Sequence, residues 1–141
     1  KGLDIFDLYK ENPGEHAKRL IGNMAIKTQN SKLRTQNEDN IIVGFENHGG
    51  RTYLGKNIEP LGKVITGFGN NGKDGYEGAI YKNSIGSYSH GPILPKNPQL
   101  ADWLIQKALE IKYKKEHTLQ RLDDTLAEKA RNTVLKKLHI I

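Results

Sequence analysis

The hydrophobic rhythm of this chain changes at His90. Before it, short β-rich runs alternate with clusters of Gly, Asn and Asp; after it, apolar residues recur at helical spacing. That order constrains the fold to a sheet-forming part followed by helices. Leu3 to Tyr9 is one strand-like run, and Arg19 to Lys27 is a second, with Leu20, Met24 and Ile26 as its apolar positions. Asn40 to Glu46 supplies Ile41, Ile42, Val43 and Phe45. Lys63 to Phe68 and Tyr76 to Tyr81 flank Gly69-Asn70-Asn71-Gly72-Lys73-Asp74-Gly75. That segment reads as a turn, because Gly and Asn tolerate positive φ. It lacks the closing Glu and spacing of an EF-hand loop and the Lys-Ser/Thr ending of a phosphate loop.

Beyond His90, Asn97 is placed to cap a helix that has Pro98 at its first position. Leu100, Trp103, Leu104, Ala108 and Ile111 give that helix its apolar positions. Residues 114–121 are polar and read as a connector, and residues 122–141 as a C-terminal helical segment starting near Asp123. Leu122, Leu126, Ala130, Val134, Leu135 and Leu138 form its expected stripe, with Asp123 and Asp124 in front and Lys136 and Lys137 behind, as the helix dipole favours. The expected build is α/β: a mixed, largely antiparallel sheet followed by two helices.

At 141 residues the chain is one domain or part of one. Lys1 reads as an internal residue of a longer protein. The formal net charge is +6, much of it from Lys112, Lys114, Lys115, Lys129, Arg131, Lys136 and Lys137. These alternate with Glu110, Glu116, Asp123, Asp124 and Glu128, as on solvated helix faces, so no nucleic-acid partner is expected. The mean hydropathy is −0.68. No apolar run approaches the ~18–20 residues of a membrane span, and no signal-peptide pattern opens the chain. A cytoplasmic setting is expected. The absence of cysteine excludes disulfides and thiolate metal sites, and no His/Asp/Glu spacing suggests another metal site.

Two histidine motifs carry the chemistry. The first is Gly44-Phe45-Glu46-Asn47-His48-Gly49-Gly50-Arg51-Thr52-Tyr53, and the second is Gly86-Ser87-Tyr88-Ser89-His90-Gly91-Pro92-Ile93-Leu94-Pro95. Each sets a histidine at the end of a strand-like run where glycine opens a turn. Such a place suits a proton-transferring base, since the imidazole titrates near neutrality. Strand alternation sends Glu46 and His48 to one side, where they line a cleft, orient His90, or form a hydrogen-bonded structural corner. His16, His117 and His139 lie in polar or terminal contexts and read as surface residues.

These strings, with Glu77-Gly78, Tyr81-Lys82-Asn83 and His90 to Asn97 in that order, resemble the C-terminal part of the GatD-like glutaminase subunits of lipid II isoglutaminyl synthase. Those subunits are CobB/CobQ-like class I glutamine amidotransferases. The resemblance is strongest over residues 41–97. It implies the C-terminal portion of a flavodoxin-like amidotransferase domain, spanning residues 1–113 here. It implies His90 as the catalytic histidine that activates a cysteine lying outside these residues, with the preceding strand Ile85 to Ser89 holding it. Arg19, in Arg19-Leu20-Ile21-Gly22, matches an arginine implicated in handling the substrate glutamine.

Many class I enzymes carry an orienting glutamate two residues after the histidine. Here that position is Pro92, so the third triad member is unassigned. The resemblance also implies a MurT-like Mur ligase partner in a heterodimer, with ATP and magnesium on the partner and no cofactor on this chain. It further implies that the chain alone is inactive, and that faces such as Ile41, Val43 and Phe45 await missing strands. A CobQ-type domain in corrinoid amidation is a second reading, against which the Asn47-His48-Gly49-Gly50-Arg51-Thr52-Tyr53 string argues. A non-catalytic interaction module is a third.

Overall fold

The computed structural model describes residues 5–28 and 40–141. Among these residues, eight strands precede three helices: β1 Leu8–Glu11, β2 Leu20–Lys27, β3 Ile41–His48, β4 Arg51–Leu54, β5 Gly62–Thr66, β6 Tyr76–Glu77, β7 Ala79–Tyr81, β8 Ser84–Gly86, α1 Ile93–Lys96, α2 Pro98–Tyr113 and α3 Thr125–Lys137. The change of texture at His90 is therefore the boundary between strands and helices. Every strand pairing among the described residues is antiparallel. The strands form a central sheet in the order β3-β2-β5-β6 and two ribbons, β1-β4 and β7-β8.

Side-chain alternation along β3 builds two core layers. Ile42 points to one face and packs with Met24, Ile26, Leu61, Ile80 and Leu100. Ile41 and Val43 point to the other and pack with Ala25, Val134 and Leu135. The expectation that Ile41 and Val43 await missing strands is thus corrected: α3 covers them. Phe45, next on that face, is half-buried.

Other expectations shift for local reasons. The first strand is Leu8–Glu11, later than the Leu3–Tyr9 run, whose first two residues lie outside the described residues. The Tyr76–Tyr81 run breaks into β6 and β7 at Gly78. Gly78 has φ +68°, and a Cβ there would lie 2.7 Å from both the Gly86 carbonyl and the Leu61 Cβ. Only glycine fits that bend. The Ile85–Ser89 strand ends early, at Gly86. The helices bury less than their patterns suggest. In α2, Leu100 is buried, whereas Ala108 and Ile111 are exposed. In α3, Val134 and Leu135 are buried, while Leu126 stays 79% exposed, because only the C-terminal turns reach the sheet. No described helix is long and apolar enough to cross a membrane.

β3 is an edge strand, and its outward backbone carries hydrogen bonds at successive alternate residues. The Ile41 carbonyl accepts a bond from Arg131 Nη2 at 3.0 Å. The Asn97 amide bonds both Val43 N–H and Val43 C=O. Phe45 exchanges both backbone bonds with His90, each 2.9 Å. The Asn47 carbonyl accepts from Arg19 Nη2 at 3.2 Å. An open edge invites pairing with another chain; this one is plugged by side chains and by the His90 bridge. The sequence places Asn97 to cap α2 with its side chain. It sits at that position, but the side chain makes no cap bond and serves the sheet edge instead.

Candidate active site

His90 emerges at the end of a short segment that is held at every residue. Residues 87–89 leave β8 and pass over Glu77, whose Oε1 accepts bonds from Ser87 Oγ at 2.7 Å, Tyr88 N–H at 2.8 Å and Ser89 N–H at 3.2 Å. The Tyr88 ring stacks on His48, with centroids 3.6 Å apart and planes 5° from parallel, and its hydroxyl meets Thr52 Oγ1 at 2.8 Å. Ser89 fits over Gly44 so closely that a Cβ there would lie 1.8 Å from Ser89 Oγ. His90 then bridges to Phe45. Its ring meets the Phe45 ring edge-on, with centroids 5.9 Å apart, and the residue is exposed. The segment, rather than a regular strand, thus delivers a solvent-accessible imidazole.

Arg19 reaches the same face. Its Nε and Nη2 donate to Asn47 Oδ1 at 3.0 and 2.9 Å. Phe45 and Asn47 are two residues apart on β3, so their side chains share a face roughly 7 Å apart. Cross-strand partners also share a face, which puts His90 with Phe45. The exposed face of β3 therefore carries both expected site residues, Arg19 beside Asn47 and His90 beside Phe45. It continues the layer that α3 covers over Ile41 and Val43 and lies beyond that cover.

Glu46 and His48 point the other way. They do share one side of β3, but both are buried, at 0% and 6% exposure. Glu46 accepts from Phe68 N–H at 2.6 Å and Gly69 N–H at 3.1 Å, and its Oε2 lies 3.4 Å from His48 Nε2. His48 Nδ1 donates to the Gly50 carbonyl at 2.9 Å. Of the roles open to this pair, the geometry is that of the hydrogen-bonded corner. The Glu46 carboxylate faces away from the His90 ring, so it does not orient it, and His48 serves as the shelf for Tyr88.

Glu77, which the sequence offers only as part of the resembling Glu77-Gly78 string, has a structural role that sequence reasoning missed. It is fully buried, with Oε2 and the neighbouring Ser89 Oγ lacking any hydrogen-bond partner. Burial pushes its carboxyl above the ordinary 4.5, against the opposing pull of its hydrogen bonds from Ser87, Tyr88, Ser89 and Gly78. Above pH 4.5 the native state retains a proton that the unfolded chain has lost, so Glu77 makes stability fall as pH rises until its native pKa is passed. Glu77→Gln removes that dependence. Thermal melts from acid to neutral pH should show the variant's midpoint gaining on wild type as pH rises. Among the described residues, no group of three His, Asp or Glu is placed to hold a metal ion.

Antiparallel sheets followed by helices, as the described residues form them, fit an α/β amidotransferase-like domain. The CobB/CobQ-like glutamine amidotransferase domain matches residues 1–98, and the chain belongs to that family. It is 46% identical over 112 residues to the lipid II isoglutaminyl synthase (glutamine-hydrolyzing) subunit GatD of Staphylococcus aureus, covering 79% of this chain and 41% of that protein. It is 39% identical over 128 residues to the subunit of the same name from Streptococcus pneumoniae, covering 91% and 46%. A probable cobyric acid synthase of Methanothermobacter thermautotrophicus is 44% identical over 90 residues, covering 64% and 17%. The chain spans less than half the length of these relatives.

Proposed function

We propose that this chain is the histidine-bearing part of a glutaminase subunit of a lipid II isoglutaminyl synthase. The parent hydrolyses glutamine and passes the ammonia to a Mur-ligase-like partner, which amidates the D-glutamate of lipid II to D-isoglutamine. The observation that carries this reading is the shared open face of His90 and Arg19, within strings that extend the likeness to the two GatD subunits over 79% and 91% of the chain. The likeness to the cobyric acid synthase covers 64%.

In this reading a cysteine thiolate from outside these residues attacks the side-chain amide of glutamine. His90 takes the thiol proton and returns it to the departing ammonia. Arg19, with its guanidinium set by Asn47, pairs with the substrate α-carboxylate. ATP and magnesium belong to the partner's ligase chemistry. The 141 residues contain no cysteine, so this chain alone lacks the thiol and releases no ammonia.

The test is ammonia release from glutamine by the full-length parent, with and without the Mur-ligase-like partner. The expected result is hydrolysis by the parent and lipid II amidation only by the pair. A parent that binds the partner but hydrolyses no glutamine would overturn the reading in favour of an interaction module. Arg19→Ala should raise KM for glutamine on the order of tenfold or more with a smaller change in kcat, since a charged substrate contact contributes about 1.5–3 kcal/mol. Steady-state glutaminase kinetics checks it.

A further inference from the structure

We propose that Glu77 is a positioning residue for His90: its buried carboxylate fixes the path of residues 87–89 and so sets where the imidazole is presented. The inference rests on the reading of His90 as the base and deepens it. No charged side chain follows His90 at the position where many related enzymes place an orienter, since Pro92 stands there. The geometry supplies a different device. One oxygen, Glu77 Oε1, gathers the Ser87 hydroxyl and the consecutive backbone N–H groups of Tyr88 and Ser89. The very next residue is His90, pinned by both backbone bonds to Phe45. The chain between the two anchors has no slack.

Glu77 makes no bond to the imidazole, so it acts through the backbone and is not catalytic in its own right. A fully buried carboxyl group is costly to keep, and three of its hydrogen bonds converge on this one segment. Its own support is also local. Gly78, immediately after it, is held by Asn70, whose Oδ1 accepts from Gly78 N–H at 2.8 Å and whose Nδ2 donates to Gly78 C=O at 3.0 Å. The buried Asn70 thus fixes the bend from which Glu77 reaches the 87–89 segment. Tyr88 adds a second constraint through His48 and Thr52, which keeps the segment from rotating about the Glu77 contact.

The experiment uses the full-length parent with its partner, assayed well below every variant's thermal midpoint. Three substitutions are compared with His90→Ala: Glu77→Ala, Glu77→Gln and Ser87→Ala. Misplacing a reacting group by about 1 Å costs as much as ~10²-fold. Glu77→Ala should therefore lower kcat by about tenfold to a hundredfold, with KM for glutamine within about threefold, because Arg19 is held separately by Asn47. Glu77→Gln keeps an oxygen for the same three donors and should recover kcat to within about threefold of wild type. Ser87→Ala removes one donor and should cost a few-fold in kcat.

A folded Glu77→Ala parent with wild-type kcat would overturn the proposal. So would a Glu77→Gln variant that is folded but as slow as Glu77→Ala. If Glu77→Ala does not fold, Glu77→Gln and Ser87→Ala decide: wild-type kcat in Ser87→Ala counts against positioning, and a few-fold loss with unchanged KM supports it. The base reading fails separately. Full activity in His90→Ala removes it, whereas an inactive His90→Ala beside a fully active Glu77→Ala removes only the positioning role.

Discussion

His90→Ala in the full-length parent should abolish measurable glutamine hydrolysis while leaving the fold and the partner complex intact. Removing a general base costs on the order of 10²–10⁴ in rate, and the loss is larger where the same group generates the nucleophile. The fold should tolerate the change because the side chain is exposed. Both hydrogen bonds to Phe45 come from the His90 backbone and survive the substitution. The lost ring contact with Phe45 is a single edge-on approach. Surface changes of this kind usually stay within about 0.5 kcal/mol. Ammonia release and co-purification of the partner measure the two halves of the expectation. Near-normal ammonia release from a folded variant would show that His90 is structural, and proton transfer would have to be reassigned.

What could be read from the residues alone was what local chemistry determines. Glycines and asparagines marked the turns, and periodicity separated strands from helices at His90. The alternation that places Glu46 and His48 together was equally legible. Which side they face was not, because burial depends on Phe68, Gly69 and Tyr88 arriving from elsewhere in the chain. Glu77 was hidden for the same reason. Glu77-Gly78 is one of the strings that carry the resemblance, but the role of Glu77 does not show there, since its partners lie 10 to 12 residues on, across the β7-β8 ribbon. The Ser89–Gly44 contact is longer-range still, and nothing in the residues beside either one signals it. Arg19 and His90 were each legible as motifs, yet their common face follows only from the β2-β3 register and the bridge to Phe45.

Asn97 tests that distinction between local and long-range reading. As a cap, its role would be local, and Asp would serve about as well as Asn. In the structure its side chain works across 54 residues: Oδ1 accepts from Val43 N–H at 2.9 Å, and Nδ2 donates to Val43 C=O at 2.7 Å and to Ile93 C=O at 2.6 Å. The residue is fully buried. Asn97→Leu strands one backbone N–H and two carbonyls away from water. Each stranded group costs about 1–3 kcal/mol. Partial relaxation makes the costs less than additive, so the expected loss is on the order of 3–5 kcal/mol of unfolding free energy. Asn97→Asp is the discriminating variant. Its carboxylate still accepts from Val43 N–H, but its second oxygen then faces two carbonyls with no proton to offer. At neutral pH it should destabilise as much as Leu, and lowering the pH should recover part of the loss as the carboxyl acquires a proton. Urea unfolding of the full-length parent at two pH values reads this directly. An Asp variant as stable as wild type at neutral pH would return Asn97 to the role of a simple helix cap. It would also mean that the β3 edge beside His90 is held by something other than this amide.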